Sequence, residues 1–302
     1  GHVFDLEIHV YYEQEHASVR IVDTHTNIVQ IEKNWQVIFE DKTTSLELKA
    51  DHSALIMKQI WDFSQTVDID DVKEILDRQI TCNMAIANEG IHNSYGANIG
   101  HVILNMDSDC VKTRAKAYAA AGSDARMNGC ELPVVINSGS GNQGITCCVP
   151  VVVYAKELDC TQEQLYRALV LSNLTAIYIK TGIGTLSAFC GAVSAGAAAG
   201  AGIAYLHNGT YKEIQHTIVN ALAILSGTIC DGAKASCAAK IASSIDAGIM
   251  GYYMYKNKQQ FYAGDGIIAH SVDETIQNIG TLGSQGMLQT NDKIIEMMIS
   301  CD

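Results

Sequence analysis

Residues 3–41 read VFDLEIHVYYEQEHASVRIVDTHTNIVQIEKNWQVIFED. Four short runs within them, VFDLEIHVYY, HASVRIVDT, TNIVQIEKN and WQVIFED, alternate apolar with polar residues, and Asp, Asn and Thr stand at the turns between. A period of two puts successive side chains on opposite faces of a strand, so the pattern predicts a small antiparallel sheet. Beyond Lys49 the period changes. SALIMKQIWDFSQ, DIDDVKEILDRQITCNMAIA and CTQEQLYRALVLSNLTAIYI carry apolar residues three and four apart, behind Ser53, Asp68 and Thr161 as expected helix N-caps. Only two prolines, Pro133 and Pro150, interrupt the chain, which leaves room for long helices. The expected fold is α+β: a small antiparallel β-rich lobe over residues 1–49 followed by a mainly α-helical domain over residues 50–302.

Length and composition bound the function. A chain of 302 residues, 48% of them hydrophobic, can bury a sizeable core. Its 33 acidic against 20 basic side chains give a net charge of −13, which repels phosphate backbones and anionic membrane surfaces, so neither nucleic acid nor membrane is an expected partner. Ten cysteines, irregularly spaced and often inside Ala-, Val- and Ile-rich runs, suit a reducing, cytoplasmic protein better than a disulfide framework. No signal peptide opens the sequence, and Gly1-His2 has the look of a tag scar. Residues 186–206 are uncharged and long enough to span a bilayer, but they are mostly Ala and Gly. Gly196 and Gly200, four apart, suit a tightly packed helix in a soluble core.

LSGTICDGAKASCAAKIASS, residues 225–244, brackets an Asp-Gly and a lysine with Cys230 and Cys237, and Cys190 lies upstream in GTLSAFCGAVSAGAAAGAG. On one straight helix the two downstream thiols would share a face yet stand roughly 10 Å apart. Asp231-Gly232 is the natural place for that helix to break and fold Cys237 back, since Gly tolerates a left-handed cap and Asp caps a new N-terminus. Thiols at helix N-termini favour the thiolate. Spacing alone leaves packing, a disulfide and metal ligation open.

NSGSGNQGIT, residues 137–146, is glycine-rich and leads into an apolar helix. Ser138, Gly139, Ser140, Gly141, Asn142, Gln143 and Gly144 could bring backbone and side-chain donors to a carboxylate or phosphate, although the spacing matches neither a Walker loop nor a dinucleotide fingerprint. An ordinary turn reads equally well. Upstream, GSDARMNG offers Arg126 as a bidentate carboxylate clamp. DTHTNIVQIE places His25 and Asn27 at the start of a strand, where a histidine can shuttle protons but is more often simply solvated.

Together, HTNIVQIE, SDARMNG with LPVVINSGSGNQGI, and ICDGAKASCAAKI resemble the L-cysteine desulfidase family, which is related to the α chain of iron–sulfur L-serine dehydratases. The resemblance covers nearly the whole chain. It implies a 4Fe-4S lyase that works without pyridoxal phosphate and converts cysteine to sulfide, pyruvate and ammonia. It also implies Cys190, Cys230 and Cys237 as the cluster ligands, and residues 138–144 with Arg126 and Asn27 as substrate contacts. Three thiolates leave one iron of a cube open as a Lewis acid. Family members begin with a helical segment carrying a GCTEP-type motif that has no counterpart here, so the resemblance leaves the catalytic base unassigned, with His25 and Lys234 as weak candidates. Cys301 is a candidate fourth ligand by the same likeness.

The readings carried forward are L-cysteine β-elimination, L-serine dehydration, a non-catalytic iron–sulfur sensor and a cluster-free structural protein. The expected partners are a small amino-acid substrate and a second copy in a homodimer.

Overall fold

The computed structural model describes residues 5–22, 27–41, 51–184 and 187–300, and the chain divides into two units, Gly1–Asp51 and His52–Asp302. The first is a four-stranded antiparallel sheet in the order β1-β2-β3-β4, made of β1 (Asp5–Tyr12), β2 (Glu15–Val22), β3 (Ile28–Lys33) and β4 (Gln36–Glu40). Its register aligns Ile8 with Val19, Val19 with Ile31 and Ile31 with Phe39, so one face is apolar. His9, Ser18 and Glu32 align on the other. The β3–β4 turn is two residues long, and both Asn34 (φ 51°) and Trp35 (φ 68°) are left-handed. That conformation matches the right-handed twist of the strands it joins, but is uncommon for a residue as bulky as tryptophan.

The second unit holds eleven α-helices among its described residues: α1 (Met57–Thr66), α2 (Ile69–His92), α3 (Ile99–Met106), α4 (Val111–Met127), α5 (Gly141–Glu157), α6 (Gln162–Ile183), α7 (Gly191–Leu206), α8 (Tyr211–Ile224), α9 (Ser236–Lys256), α10 (Val272–Thr281) and α11 (Leu288–Ile299). A π-helical turn, Leu282–Gly286, joins the last two. The fold is therefore α+β, a small antiparallel sheet followed by a helical domain. Helix α7 is the axis of this domain: all of its residues except Gly191 and Tyr205 are buried, and α5, α6, α8 and α9 pack around it. Small residues make that possible. A Cβ on Gly196 would lie 2.4 Å from Ser244 O of α9, and one on Gly200 would lie 2.7 Å from Gly248 O. The two backbones touch where side chains would otherwise hold them apart, and the Ala/Gly run is a buried core helix. No helix among the described residues is long and apolar enough to cross a membrane.

Two of the three expected caps are in place. Asp68 accepts from Asp70 N–H at 3.1 Å, and Thr161 forms a capping box with Gln164. Ser53 does not cap α1, which starts later with Ile56 at its N-cap; its first N–H, from Met57, is bound at 2.9 Å by Asp273 of α10. Pro150 lies inside α5 rather than at a boundary. The expected helix break at Asp231-Gly232 is wider than a kink: α8 ends at Ile224, α9 starts at Ser236, and Cys230 sits in the extended stretch between them. Gly232 is left-handed (φ 99°), as a break requires, but Asp231 does not cap α9, whose N-cap is Ala235. The carboxylate of Asp231 is held instead by Lys234 and Lys240.

Candidate active site

Three of the helices begin close to candidate residues: α5 at Gly141, α7 at Gly191 and α9 at Ser236. Cys190 is the N-cap of α7, and Cys237 is the second residue of α9. Cys230 reaches Cys190 through a one-residue antiparallel bridge between Phe189 and Ile229, closed by Cys190 N–H to Thr228 O at 3.1 Å and Cys230 N–H to Ala188 O at 2.6 Å. The bridge sets the two cysteines side by side, so that each thiol acts on the ionisation of the other. The neighbouring Cys190 is the main cause of the depressed pKa of Cys230, about 6, with the Gly232 N–H, Lys240 and Lys180 assisting against burial. Cys230, together with burial, raises the pKa of Cys190. Cys237 Sγ lies 3.6 Å from Gly232 O.

Cations surround the thiols. Lys180, at the end of α6, is only 9% exposed and donates to Gly184 O at 2.5 Å; burial lowers its pKa, while Cys230 and Cys190 act in the opposite sense. Lys240 donates to Ile229 O at 2.8 Å and to Asp231. Burial opposes its charge, but Asp231, Cys190 and Cys237 outweigh burial and raise its pKa. Lys234 is half exposed and ion-paired with Asp231, whose pKa that pairing first, and Lys240 second, pulls down to about 2.

The glycine-rich segment abuts this cluster. Asn137 and Ser140 exchange backbone hydrogen bonds of 3.1 and 3.0 Å around left-handed Ser138 (φ 47°) and Gly139 (φ 76°), a tight two-residue turn. Ser140 is the N-cap of α5, so Gly141, Asn142, Gln143 and Gly144 form its first turn rather than a loop before it. Their close approaches need glycine: a Cβ on Gly144 would meet Val135 O at 2.0 Å, and one on Gly141 would meet Arg126 Nε at 2.3 Å. A lattice of amides holds the turn from behind. Gln79 and Asn173 exchange bonds of 2.8 and 2.9 Å, Asn173 accepts from Asn137 at 3.0 Å, and Asn83 brackets the Val135 peptide at 2.8 and 3.2 Å.

Arg126, in the last turn of α4, donates to Asn142 Oδ1 at 3.3 Å and to Met127 Sδ at 3.2 Å. Burial lowers its pKa, Cys237 opposes that shift, and among the described residues no carboxylate pairs with it. Gln143 is 5% exposed, its Oε1 has no partner, and its amide packs on Gly191, where a Cβ would be 2.7 Å from Gln143 Cδ. The first turn of α5 thus rests against the start of α7, beside Cys190. Ser194, one turn along α7, has a buried hydroxyl that is also unpartnered. Such orphans are rare in finished cores and point to a group that completes them.

The structure brings together Cys190 and Cys230, and links residues 138–144 to Arg126 and to the start of α7. Asn27 belongs to the sheet unit, where its side chain donates to Val22 O, at the end of β2, at 3.0 Å. His25 and Cys301 lie outside the described residues. Lys180, Lys240 and the amide lattice went unnoticed in the sequence, although a lone lysine in the apolar run LTAIYIKTGIG was a visible signal for the first.

Among the described residues no three His, Cys, Asp or Glu side chains converge on a single metal ion. A four-iron cube places its irons at separate corners, so its ligands need not converge on one point. The adjacent thiols of Cys190 and Cys230, with Lys180 and Lys240 nearby to offset thiolate charge, are the donor chemistry such a group would require.

The sequence profile of the serine dehydratase alpha chain matches residues 8–296. The chain is 55% identical over 300 residues to a UPF0597 protein of Desulfitobacterium hafniense, spanning 99% of this chain and 70% of the relative. A UPF0597 protein of Lachnoclostridium phytofermentans is 51% identical over 93% of this chain and 68% of its own length. One of Finegoldia magna is 48% identical over 98% and 71%. No solved structure matches the chain.

Proposed function

The chain belongs to the serine dehydratase alpha-chain family, and from that premise we propose that it is an iron–sulfur lyase that removes the β-substituent of L-cysteine. The observation that carries the reading is Arg126, a half-buried cation without a carboxylate partner among the described residues, set against the first turn of α5 and within electrostatic reach of Cys237. An uncompensated guanidinium beside helix N–H groups is a receptor for a small carboxylate.

Cys190, Cys230 and Cys237 would hold a 4Fe-4S cluster. When bound, it supplies a Lewis acid for the departing sulfur. Everything else falls to the chain. Arg126 and the α5 N–H groups orient the substrate carboxylate. Lys180 and Lys240 offset the charge of the thiolates, and the neighbouring Cys190 already favours the deprotonated, ligating form of Cys230. In the reaction the Cα proton is removed, the Cβ–S bond breaks, sulfide leaves, and the resulting enamine takes up water to give pyruvate and ammonia.

L-Serine is the second reading, favoured by the family's own description. Thiol and hydroxyl leaving groups differ little in size, so products must decide. The protein, in the full length its gene encodes, is loaded anaerobically with iron and sulfide and given each amino acid. Equal release of pyruvate and sulfide from cysteine, faster than pyruvate from serine, is the expected result. Turnover of serine alone would replace the substrate, and no turnover of either at full iron loading would remove the lyase reading.

A further inference from the structure

The stretch that enters α7 is held from a distance. Ser187, half-buried and just upstream of Cys190, uses its hydroxyl twice: Oγ donates to Gly283 O at 2.6 Å and accepts from Phe189 N–H at 3.0 Å. The second bond alone would be an ordinary serine turn, closed onto its own backbone two residues on. The first reaches 96 residues along the chain, into the π-helical turn Leu282–Gly286. Single π-helical turns recur at functional sites. Glycine lets this one come close: a Cβ on Gly283 would lie 2.9 Å from Ile183 Cγ2 and 3.2 Å from Phe189 Cβ. Phe189 itself is 1% exposed and pairs with Ile229 in the bridge. The residues on either side of it carry the bridge's hydrogen bonds, Cys230 N–H to Ala188 O and Cys190 N–H to Thr228 O.

We propose that Ser187 is a positioning residue for the thiol pair: its hydroxyl ties the Phe189 N–H to the Gly283 carbonyl and so sets where Cys190 and Cys230 present their sulfurs as ligands. The proposal rests on the iron–sulfur reading above for what the thiols hold, and on hydrogen bonds alone for how they are held. A serine hydroxyl has one proton, and Gly283 O takes it, so the lone pair facing Phe189 N–H is fixed in direction. Both thiols depend on that one segment. Cys190 is the residue after Phe189, and Cys230 follows Ile229, the partner of Phe189 in the bridge, so a shift of Phe189 moves both sulfurs. The far end of the tie is itself anchored, because α10 and α6 meet backbone to backbone where a Cβ on Gly280 would lie 3.0 Å from Gly182 C. Bonds that orient ligands from behind matter to what the ligands hold, and their loss weakens metal binding about 10- to 100-fold.

The test compares the full chain with its Ser187→Ala and Ser187→Thr variants. In the iron-free proteins, hydrogen exchange at residues 188–190 and 228–230 should run roughly tenfold faster in Ser187→Ala than in wild type, with the centre of α7 unchanged, and Ser187→Thr should restore the wild-type rate. After anaerobic loading with iron and sulfide, a chelator should bleach the visible cluster absorption about 10- to 100-fold faster in Ser187→Ala and at the wild-type rate in Ser187→Thr. If circular dichroism shows that Ser187→Ala does not fold, Ser187→Thr is compared instead with Ser187→Val, which has the same shape without the hydroxyl. Equal exchange in wild type and the hydroxyl-free variant would overturn the proposal. Faster exchange with an unchanged rate of bleaching would overturn it too, leaving Ser187 a structural residue only. A wild type that takes up no cluster removes the lyase reading instead, and the exchange rates then decide whether Ser187 sets the bridge.

Discussion

Gln143 and Gly144 are neighbours in one helical turn, yet they fail for different reasons when changed. Gly144→Ala sets a Cβ 2.0 Å from Val135 O, a backbone atom that Asn83 holds from the other side, so the turn must shift. Overpacking of this kind costs about 1–3 kcal/mol, and a fall in the urea midpoint would register it. Gln143→Ala removes an amide whose oxygen already has no partner, so stability should change little while KM for the amino acid rises. A large loss of stability with unchanged kinetics would assign Gln143 to packing. The thiols give a pH prediction for the metal-free chain. With a folded pKa of about 6 against about 8.5 for an unperturbed thiol, Cys230 contributes stability that is fully present above the unfolded value and disappears as the pH falls through 6. Alkylation followed by mass mapping should show Cys230 gaining reactivity with a midpoint near pH 6, while Cys190, raised and buried, stays inert. A midpoint near the unperturbed value would mean that its surroundings do not favour the thiolate.

The elements legible in the sequence were those whose signal is local. Strand alternation around Ile8, Val19 and Phe39, the capping box at Thr161 and the small-residue spacing at Gly196 and Gly200 all depend on neighbours within a turn or two. What was misread depends on distant partners. Ser53 looked like a cap because nothing nearby reveals that Asp273, 216 residues away, binds the Met57 N–H. Cys230 looked helical because residues 225–244 keep helix-like spacing, whereas its true conformation comes from pairing with residues 188–190. The contact of α7 with α9 supplies the test at this scale. A Cβ on Gly248 would lie 2.3 Å from Gly196 O, backbone against backbone, so Gly248→Ala should cost about 1–3 kcal/mol, well beyond the propensity gain of alanine over glycine in a helix. Thr161→Ala, which removes one cap at a surface end, should cost about 1 kcal/mol. Urea midpoints for the pair rank the helix contact against the cap, and a more stable Gly248→Ala protein would show that the backbones are not in contact.

The two units differ in how much apolar surface they bury, and their unfolding should differ accordingly. In the sheet unit Leu6, Ile8, Val10 and Phe39 are 39–59% exposed, and of its apolar strand residues Val22 alone is a core member at 5%. The helical unit encloses most of α4, α5, α6, α7 and α9. Stability scales with apolar area removed from water, and a sheet of four short strands that buries little of it within itself is marginal. The sheet should therefore unfold at lower denaturant than the helices, in two steps rather than one. Each unit contains one of the chain's two tryptophans, Trp35 stacked on His16 in the sheet and Trp61 edge-on to Tyr205 among the helices. In a Trp61→Phe protein the fluorescence reports the sheet alone, and far-ultraviolet circular dichroism reports mainly the helices. The fluorescence transition should come first in urea. Coincident transitions by both probes would show that the units unfold as one body, and the sheet would then owe its stability to the rest of the chain.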